Sequence, residues 1–289
     1  MDNARISPTA HYTGYVWFAN GQSHPAFATR TGRRLYRSLR APNAVAAAAG
    51  LPTLDGMLLA RHRLIDLRLE QAIDEGEVSQ VIEIAAGLSP RGWRFAQKYG
   101  ARITYVEADL PGMIARKRTI LNELGATHRT AEIDALADDG PASLAALCKS
   151  LDPARGTAIL TEGLVNYFDR AAVVAMWRRF ARALAAFPTG LYLSDLIVRE
   201  GNKSPMIAGF QWLLSAFVRG KVHMHFATAH DAEQALDTAG FDAALLDPRD
   251  FAHELPGLER RGAGRVRIVE ALARKPKNPD PDNPRLRSD

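Results

Sequence analysis

The chain has 289 residues, 47% hydrophobic and 24% charged, which excludes wholesale disorder and fits one elaborated domain or a core with a small appendage. Lys and Arg number 37 against 32 Asp and Glu, a net +5 that lacks the dense clustering of a nucleic-acid binder. No apolar run approaches the roughly eighteen residues of a membrane span, and the single Cys148 excludes an intrachain disulfide or a cysteine-rich zinc site.

The N-terminus, Met1 to Pro8, carries no apolar signal core, so a cytoplasmic location with no nucleic-acid or membrane partner is expected. Residues 1–75 read as a helical cap without strands. An aromatic stretch, Tyr12, Tyr15, Trp17 and Phe18, falls near its start. Arg30, Arg33, Arg34, Arg37 and Arg40 follow with no acid among them; on a helix the first four share one face. That face is either simply solvated or a docking patch for an acidic or phosphorylated partner. From Asp55 to Ile73, Leu58, Leu59, His62, Ile65, Leu69 and Ile73 recur at helical spacing, and Gly76 is placed to end that helix.

The pattern then changes to short β-type runs at Gln80–Ala86, Arg102–Glu107, Thr130–Ile133, Thr157–Thr161, Gly190–Leu196, Phe241–Leu246 and Arg265–Leu272. Helix-like stretches near 90–99, 111–124, 143–150 and 169–187 separate the first five, which predicts a parallel sheet covered on both faces. The last two runs flank residues 257–264 with no helix between them, so they are expected to pair antiparallel and close the sheet. Residues 199–229, with an apolar stretch from Met206 to Val218, form a long insertion placed to act as a lid. The core is thus expected over 76–275, and the Pro-rich polar tail 276–289 to be disordered.

The first strand runs Val81-Ile82-Glu83-Ile84 into Ala85-Ala86-Gly87-Leu88-Ser89-Pro90, a small-residue turn opening a helix. A dinucleotide fingerprint would place glycines at Ala85, Gly87 and Pro90, and one survives, which disfavours NAD or FAD. Glu107 ends the second strand where a carboxylate can accept both ribose hydroxyls of a nucleoside, with Asp109 and Pro111 left to cap the next helix. Asp134 follows the third strand. An apolar fourth strand ends in Glu162-Gly163, and burying such a strand only to place an acid at its end points to a ligand.

Taken together, Ala60-Arg61 with Ile65-Asp66, Glu83 to Arg94 around Gly87 and Trp93, Val106-Glu107-Ala-Asp-Leu-Pro111 with Lys117, Asp134, and Glu162-Gly-Leu-Val-Asn-Tyr167 resemble the leucine carboxyl methyltransferase family, in its bacterial polyketide-type O-methyltransferase branch. The resemblance is in order and spacing over residues 55–200. It implies an α/β, Rossmann-like class I methyltransferase fold, with a mostly parallel seven-stranded sheet and an antiparallel last strand, binding S-adenosyl-L-methionine (SAM). By the same resemblance Arg61 meets the methionine carboxylate, Gly87 admits the backbone, Glu107 holds the ribose, Asp134 faces adenine and Glu162 neighbours the ammonium, with Glu83 and Ala85 in the cofactor turn. Ala85 and Ser89-Pro90 depart from the family's glycine and Asp-Thr.

The expected reaction is O-methyl transfer to a small molecule, polyketide-like, free or carrier-bound. A carboxylate acceptor is already ionised at neutral pH, whereas a hydroxyl needs a base. His223 and His225, on one face of an extended segment, and Tyr167 are the candidate catalytic residues; Tyr12, Tyr15 and His223 are candidate acceptor contacts. With His230 nearby no recognised zinc spacing is completed, so no metal is expected. A weakly catalytic SAM-binding or partner-binding relative, and a nucleotide-linked oxidoreductase, are the alternatives.

Overall fold

The computed structural model describes residues 8–200, 223–255 and 260–275. Three helices lead: α1 (Pro8–Ala19), α2 (Arg30–Ala48) and α3 (Leu54–Asp74). Thr29 and Thr53 cap α2 and α3 by accepting the N–H groups of Gly32 and Gly56. Then β1 (Gln80–Ile84), α4 (Arg91–Tyr99), β2 (Thr104–Asp109), α5 (Pro111–Glu123), β3 (Arg129–Glu132), α6 (Leu144–Cys148), β4 (Thr157–Thr161), α7 (Arg170–Leu184) and β5 (Gly190–Leu196) alternate. The chain ends with α8 (Ala229–Ala239), β6 (Phe241–Leu246), a four-residue helix α9 (Arg260–Ala263) and β7 (Arg267–Ala273).

The seven strands form one sheet in the order β3-β2-β1-β4-β5-β7-β6, parallel except for β7, which runs antiparallel to both neighbours. That matches the expected mostly parallel sheet with a reversed last strand. Two details differ. A short helix, α9, interrupts the β6–β7 connection. The helix α8 was not foreseen either, although Thr228 and Asp231 form a capping box at its start and Ala232, Leu236 and Ala239 make its buried stripe.

Strand alternation divides the core in two. Ile82, Ile84, Val106, Ile159 and Tyr192 face α7 and α8, where Trp177, Phe180, Leu184 and Leu236 cover them. Val81, Tyr105, Ala158, Leu160, Leu191 and Leu193 face the other way, against Leu64, Ile65 and Leu69 of α3 and Phe95 of α4. Tyr12 and Val16 of α1 and Leu39 of α2 join this second cluster, so the leading helices are continuous with the sheet's own covering layer. The five arginines of α2 are all exposed, and none forms an ion pair among the described residues.

The strand order reverses between β1 and β4, and ligands of open α/β sheets bind outside the carboxyl ends of the strands at such a point. Register fixes what stands there. Ile84 pairs with Ala108 and with Thr161, and Thr161 pairs with Ser194. The next residue along each strand therefore forms a row at the sheet edge: Asp109, Ala85, Glu162 and Asp195. Glu83 and Glu107 are paired in register two residues inside it.

Candidate active site

The turn after β1 keeps the backbone of a glycine turn in spite of its alanine. Ala85 has φ +56°, the one positive value outside glycine among the described residues, and Gly87 has φ +47°. The Gly87 N–H donates to Asp109 Oδ2 at 2.8 Å, and the Leu110 N–H donates to Oδ1 at 2.7 Å. Asp109 therefore does not cap α5 in the expected way: Leu110 holds the cap position and no side chain bonds the first turn. Each Asp109 oxygen has taken one N–H and keeps a further acceptor position. Burial raises this carboxyl, against the pull of its two backbone donors.

Glu107 is placed elsewhere than expected. It is fully buried, with Oε2 3.2 Å from Lys117 Nζ and Oε1 3.6 Å from His128 Nε2. A methyl group on Gly92 would stand 2.3 Å from its Oε1, so the first turn of α4 rests directly on this carboxylate. The two acids lie on one face of β2, and depth separates them: one closes the strand, the other sits inside the sheet. Asp109 is the acid that stands at the carboxyl end of the strand, beside the turn after β1.

Glu83 is also interior, accepting from Arg91 Nη1 at 2.7 Å and from the Tyr105 hydroxyl at 2.8 Å. It belongs to a buried ionic network that the sequence reading did not assemble. Arg91, completely buried, donates through Nε to Asp66 Oδ1 at 2.5 Å, and through Nη2 to Glu162 Oε2 at 2.6 Å. Arg94 bonds the other Asp66 oxygen at 2.8 Å. His62 lies 2.9 Å from Glu162 Oε2 through Nδ1, beneath the Trp17 ring at 4.5 Å. Burial alone would raise the Glu162 carboxyl, but His62, Arg91 and Arg61 hold it well below the usual range. Asp66 is likewise lowered, by His62, Arg91 and Arg94 against the cost of burial.

Arg61 links this network to the edge row. Its Nε donates to Glu162 Oε1 at 3.0 Å and its Nη1 to Asp195 Oδ2 at 3.0 Å. Asp195 also accepts the Gly163 N–H at 2.6 Å, fixing the turn after β4, where Gly163 has φ +67°. Arg61 Nη2 makes no hydrogen bond among the described residues and lies 3.1 Å from where a Gly163 Cβ would stand. A guanidinium edge and the acceptor positions of Asp109 thus stand beside the turns at 85–90 and 162–164, at the carboxyl ends of the strands. Trp17 Nε1, buried in the overlying α1, also lacks a partner among the described residues. These donors and acceptors suit a nucleoside bearing an amino-acid end.

Asp134 is exposed beyond β3, its Oδ1 accepting the Leu136 N–H at 2.9 Å. His223 and His225 do share a face: their rings stack at 5.6 Å and 10°. Asn166 clamps this segment, donating to the His223 carbonyl at 2.7 Å while its own carbonyl accepts the His223 N–H at 2.8 Å. Burial lowers the His225 imidazole. Arg199 and Glu200 bond the carbonyls of Phe226 and Ala227, so the insertion leaves and returns at one place. Its interior, including Met206 to Val218, lies outside the described residues, as does the tail 276–289. His230 stands apart on α8, bonded to Gln234.

Tyr167 is 38% exposed, with its phenol beside Thr9 and Arg61, where burial pushes it up. Tyr12 is buried, donating to Asp55 Oδ1 at 2.5 Å and accepting from Asn43, and burial holds its phenol far above the usual value. Tyr15 packs between Phe18 and Tyr36.

The leucine carboxyl methyltransferase family matches residues 17–181. A protein of Mycobacteroides abscessus, named provisionally an S-adenosyl-L-methionine-dependent methyltransferase, is 32% identical over 161 residues, 55% of this chain and 50% of its own. A Rhodococcus jostii protein of the same provisional name is 36% identical over 128 residues, 43% of this chain and 42% of its own. The chain spans about half the length of these curated relatives. In fold it resembles a DUF574 family protein of Streptomyces avermitilis (TM-score 0.62, 18% identity, 93% of this chain and 97% of that one). A provisionally named methyltransferase of Thermobifida fusca is similar too (TM-score 0.61, 13% identity, 95% and 97%).

Proposed function

The chain belongs to the leucine carboxyl methyltransferase family, and on that premise we propose that it is a SAM-dependent O-methyltransferase that esterifies a small-molecule carboxylate. SAM, when bound, supplies an activated methyl group on a sulfonium centre. The residues that fit it are Asp109 for the ribose hydroxyls, Gly87 for close backbone approach, the free edge of Arg61 for the methionine carboxylate, and Glu162 with Asp195 for the ammonium. Asp134, exposed at the rim, suits the adenine. Because these groups are locked by one another and by the sheet, their contribution is positioning and exclusion of water.

One observation carries the choice of acceptor. Glu162 and Asp66 are committed to arginines and held ionised far below neutral pH, and Asp109 is engaged by two backbone N–H groups. A group of that kind takes no proton from an acceptor at pH 7, so an acceptor that arrives ionised suits the site. A second reading has its own support: the His225 imidazole, lowered by burial, is neutral at pH 7 and suited to deprotonate a hydroxyl. The acceptor pocket would then lie between Tyr167 and the His223–His225 pair, below α1. The exposed arginines of α2 further favour an anionic acceptor or an acidic carrier.

A panel of carboxylic acids and phenols, with product read by mass spectrometry, tests this. Methyl ester formed at a rate flat from about pH 6.5 to 8.5 is expected, since a carboxylate titrates near pH 4. Phenol ether as the sole product, with a rate rising through the imidazole range and abolished by His225→Asn, would transfer the reading to the hydroxyl.

A further inference from the structure

The cluster of Glu107, Lys117 and His128 has no part in the chemistry above, yet it buries two opposite charges beside the cofactor turn. Lys117 is 1% exposed, and its Nζ donates to the Ser89 carbonyl at 2.6 Å while lying 3.2 Å from Glu107 Oε2. The ring of Phe27 stands 5.3 Å from the same ammonium. Glu107 in turn sits under the first turn of α4, where a carboxylate is favoured by the helix dipole. Desolvating an ammonium and a carboxylate costs several kcal/mol each, and a well-packed apolar pair fills such a space without that cost. What an apolar pair lacks is a donor for Ser89.

That donor acts on the turn that matters. Ser89 lies between Gly87 and the start of α4, and three bonds from the β2–α5 segment hold the turn: the Ala86 N–H on the Ala108 carbonyl, the Gly87 N–H on Asp109, and the Ser89 carbonyl on Lys117. The first two fix its entry, and Lys117 holds its far end, next to α4. With Ala85 at positive φ, the turn adopts a conformation that an alanine backbone does not favour. We propose that Lys117 is a positioning residue for the cofactor, its ammonium fixed by Glu107 so that it holds the Ser89 carbonyl and sets the 85–90 turn for binding. The proposal rests on the reading of this cleft as the SAM site.

The experiment compares wild-type protein, Lys117→Met/Glu107→Gln, Lys117→Arg and Glu107→Gln by two measurements. The double variant removes both buried charges together, so that it folds without an orphaned ion. Calorimetric titration with S-adenosylhomocysteine is expected to show a Kd raised tenfold or more in the double variant. Lys117→Arg keeps a cationic donor and is expected to recover most of that loss. Glu107→Gln, whose amide oxygen still faces the Lys117 ammonium, is expected within about threefold of wild type. Hydrogen exchange in the ligand-free proteins is expected to be faster at residues 86–91 in the double variant and unchanged in β1, β4 and β5. A double variant that binds like wild type, or whose exchange at 86–91 is unchanged, overturns the proposal. If wild-type protein itself binds no S-adenosylhomocysteine, the SAM reading fails, and the exchange measurement alone decides whether Lys117 orders the turn.

Discussion

Asp109 and Glu107 show how much two residues of separation decide. They share a face of β2, but Asp109 ends the strand with free acceptor positions, whereas Glu107 is sealed under Gly92. Asp109→Asn is therefore expected to weaken SAM and S-adenosylhomocysteine binding by tenfold or more, because charge-assisted hydrogen bonds contribute about 1.5–3 kcal/mol. Calorimetric titration checks this, and unchanged affinity would contradict the assignment. Ala85 invites the opposite kind of test. Its left-handed backbone costs an alanine about 1–2 kcal/mol, partly offset by the greater flexibility of glycine when unfolded. Ala85→Gly is expected to raise Tm by about 2–4 °C in a thermal melt. A lowered Tm would show that the turn stores no strain there.

At the scale of elements, the network around Arg91 joins α3, β1, α4 and the turn after β4 through Asp66, Glu83 and Glu162. Arg91 and Arg94 stand three residues apart on one face of α4, which directs both guanidiniums at α3. Removing a single partner from a buried network leaves the opposite charges uncompensated, at a cost of about 3–5 kcal/mol. Arg91→Met is expected to lose that much in urea unfolding. Arg91→Lys is expected to recover little, since one ammonium cannot reach three carboxylates with a planar fork's geometry. Full stability in Arg91→Met would mean that packing alone holds α3 and α4 together. The capping box of α8 makes a further point at this scale. Thr228 and Asp231 carry a local start signal, but they stand at the margin of the 199–229 insertion, where no strand–helix alternation points to the helix they start.

For the whole molecule, the network predicts how stability responds to acid. Asp66 and Glu162 have folded-state carboxyls below their unfolded values, so the stability they add is complete above about pH 5. It drains away as pH falls through and below the ordinary carboxylate range. Asp109, raised by burial, acts in the opposite sense. Urea midpoints at pH 7, 5, 4 and 3 are expected to hold and then fall, more steeply in wild type than in Arg91→Met; a midpoint level to pH 3 would refute it. The sheet and most of its helices are legible in the sequence because short apolar runs and helical spacing are local signals, whereas α8 and the four-residue α9 are not. Gly87 and Glu162 are legible too, standing at a turn and just past a strand end that residue type marks, while Arg61, inside α3, stands out only by the family resemblance. Which acid of β2 reaches the cleft, and the joining of Arg61, His62, Arg91 and Asp195 into one network, were decided only in the tertiary structure. Those outcomes depend on strand register and on the packing of α3 over β1, β4 and β5, which bring together residues up to 134 positions apart.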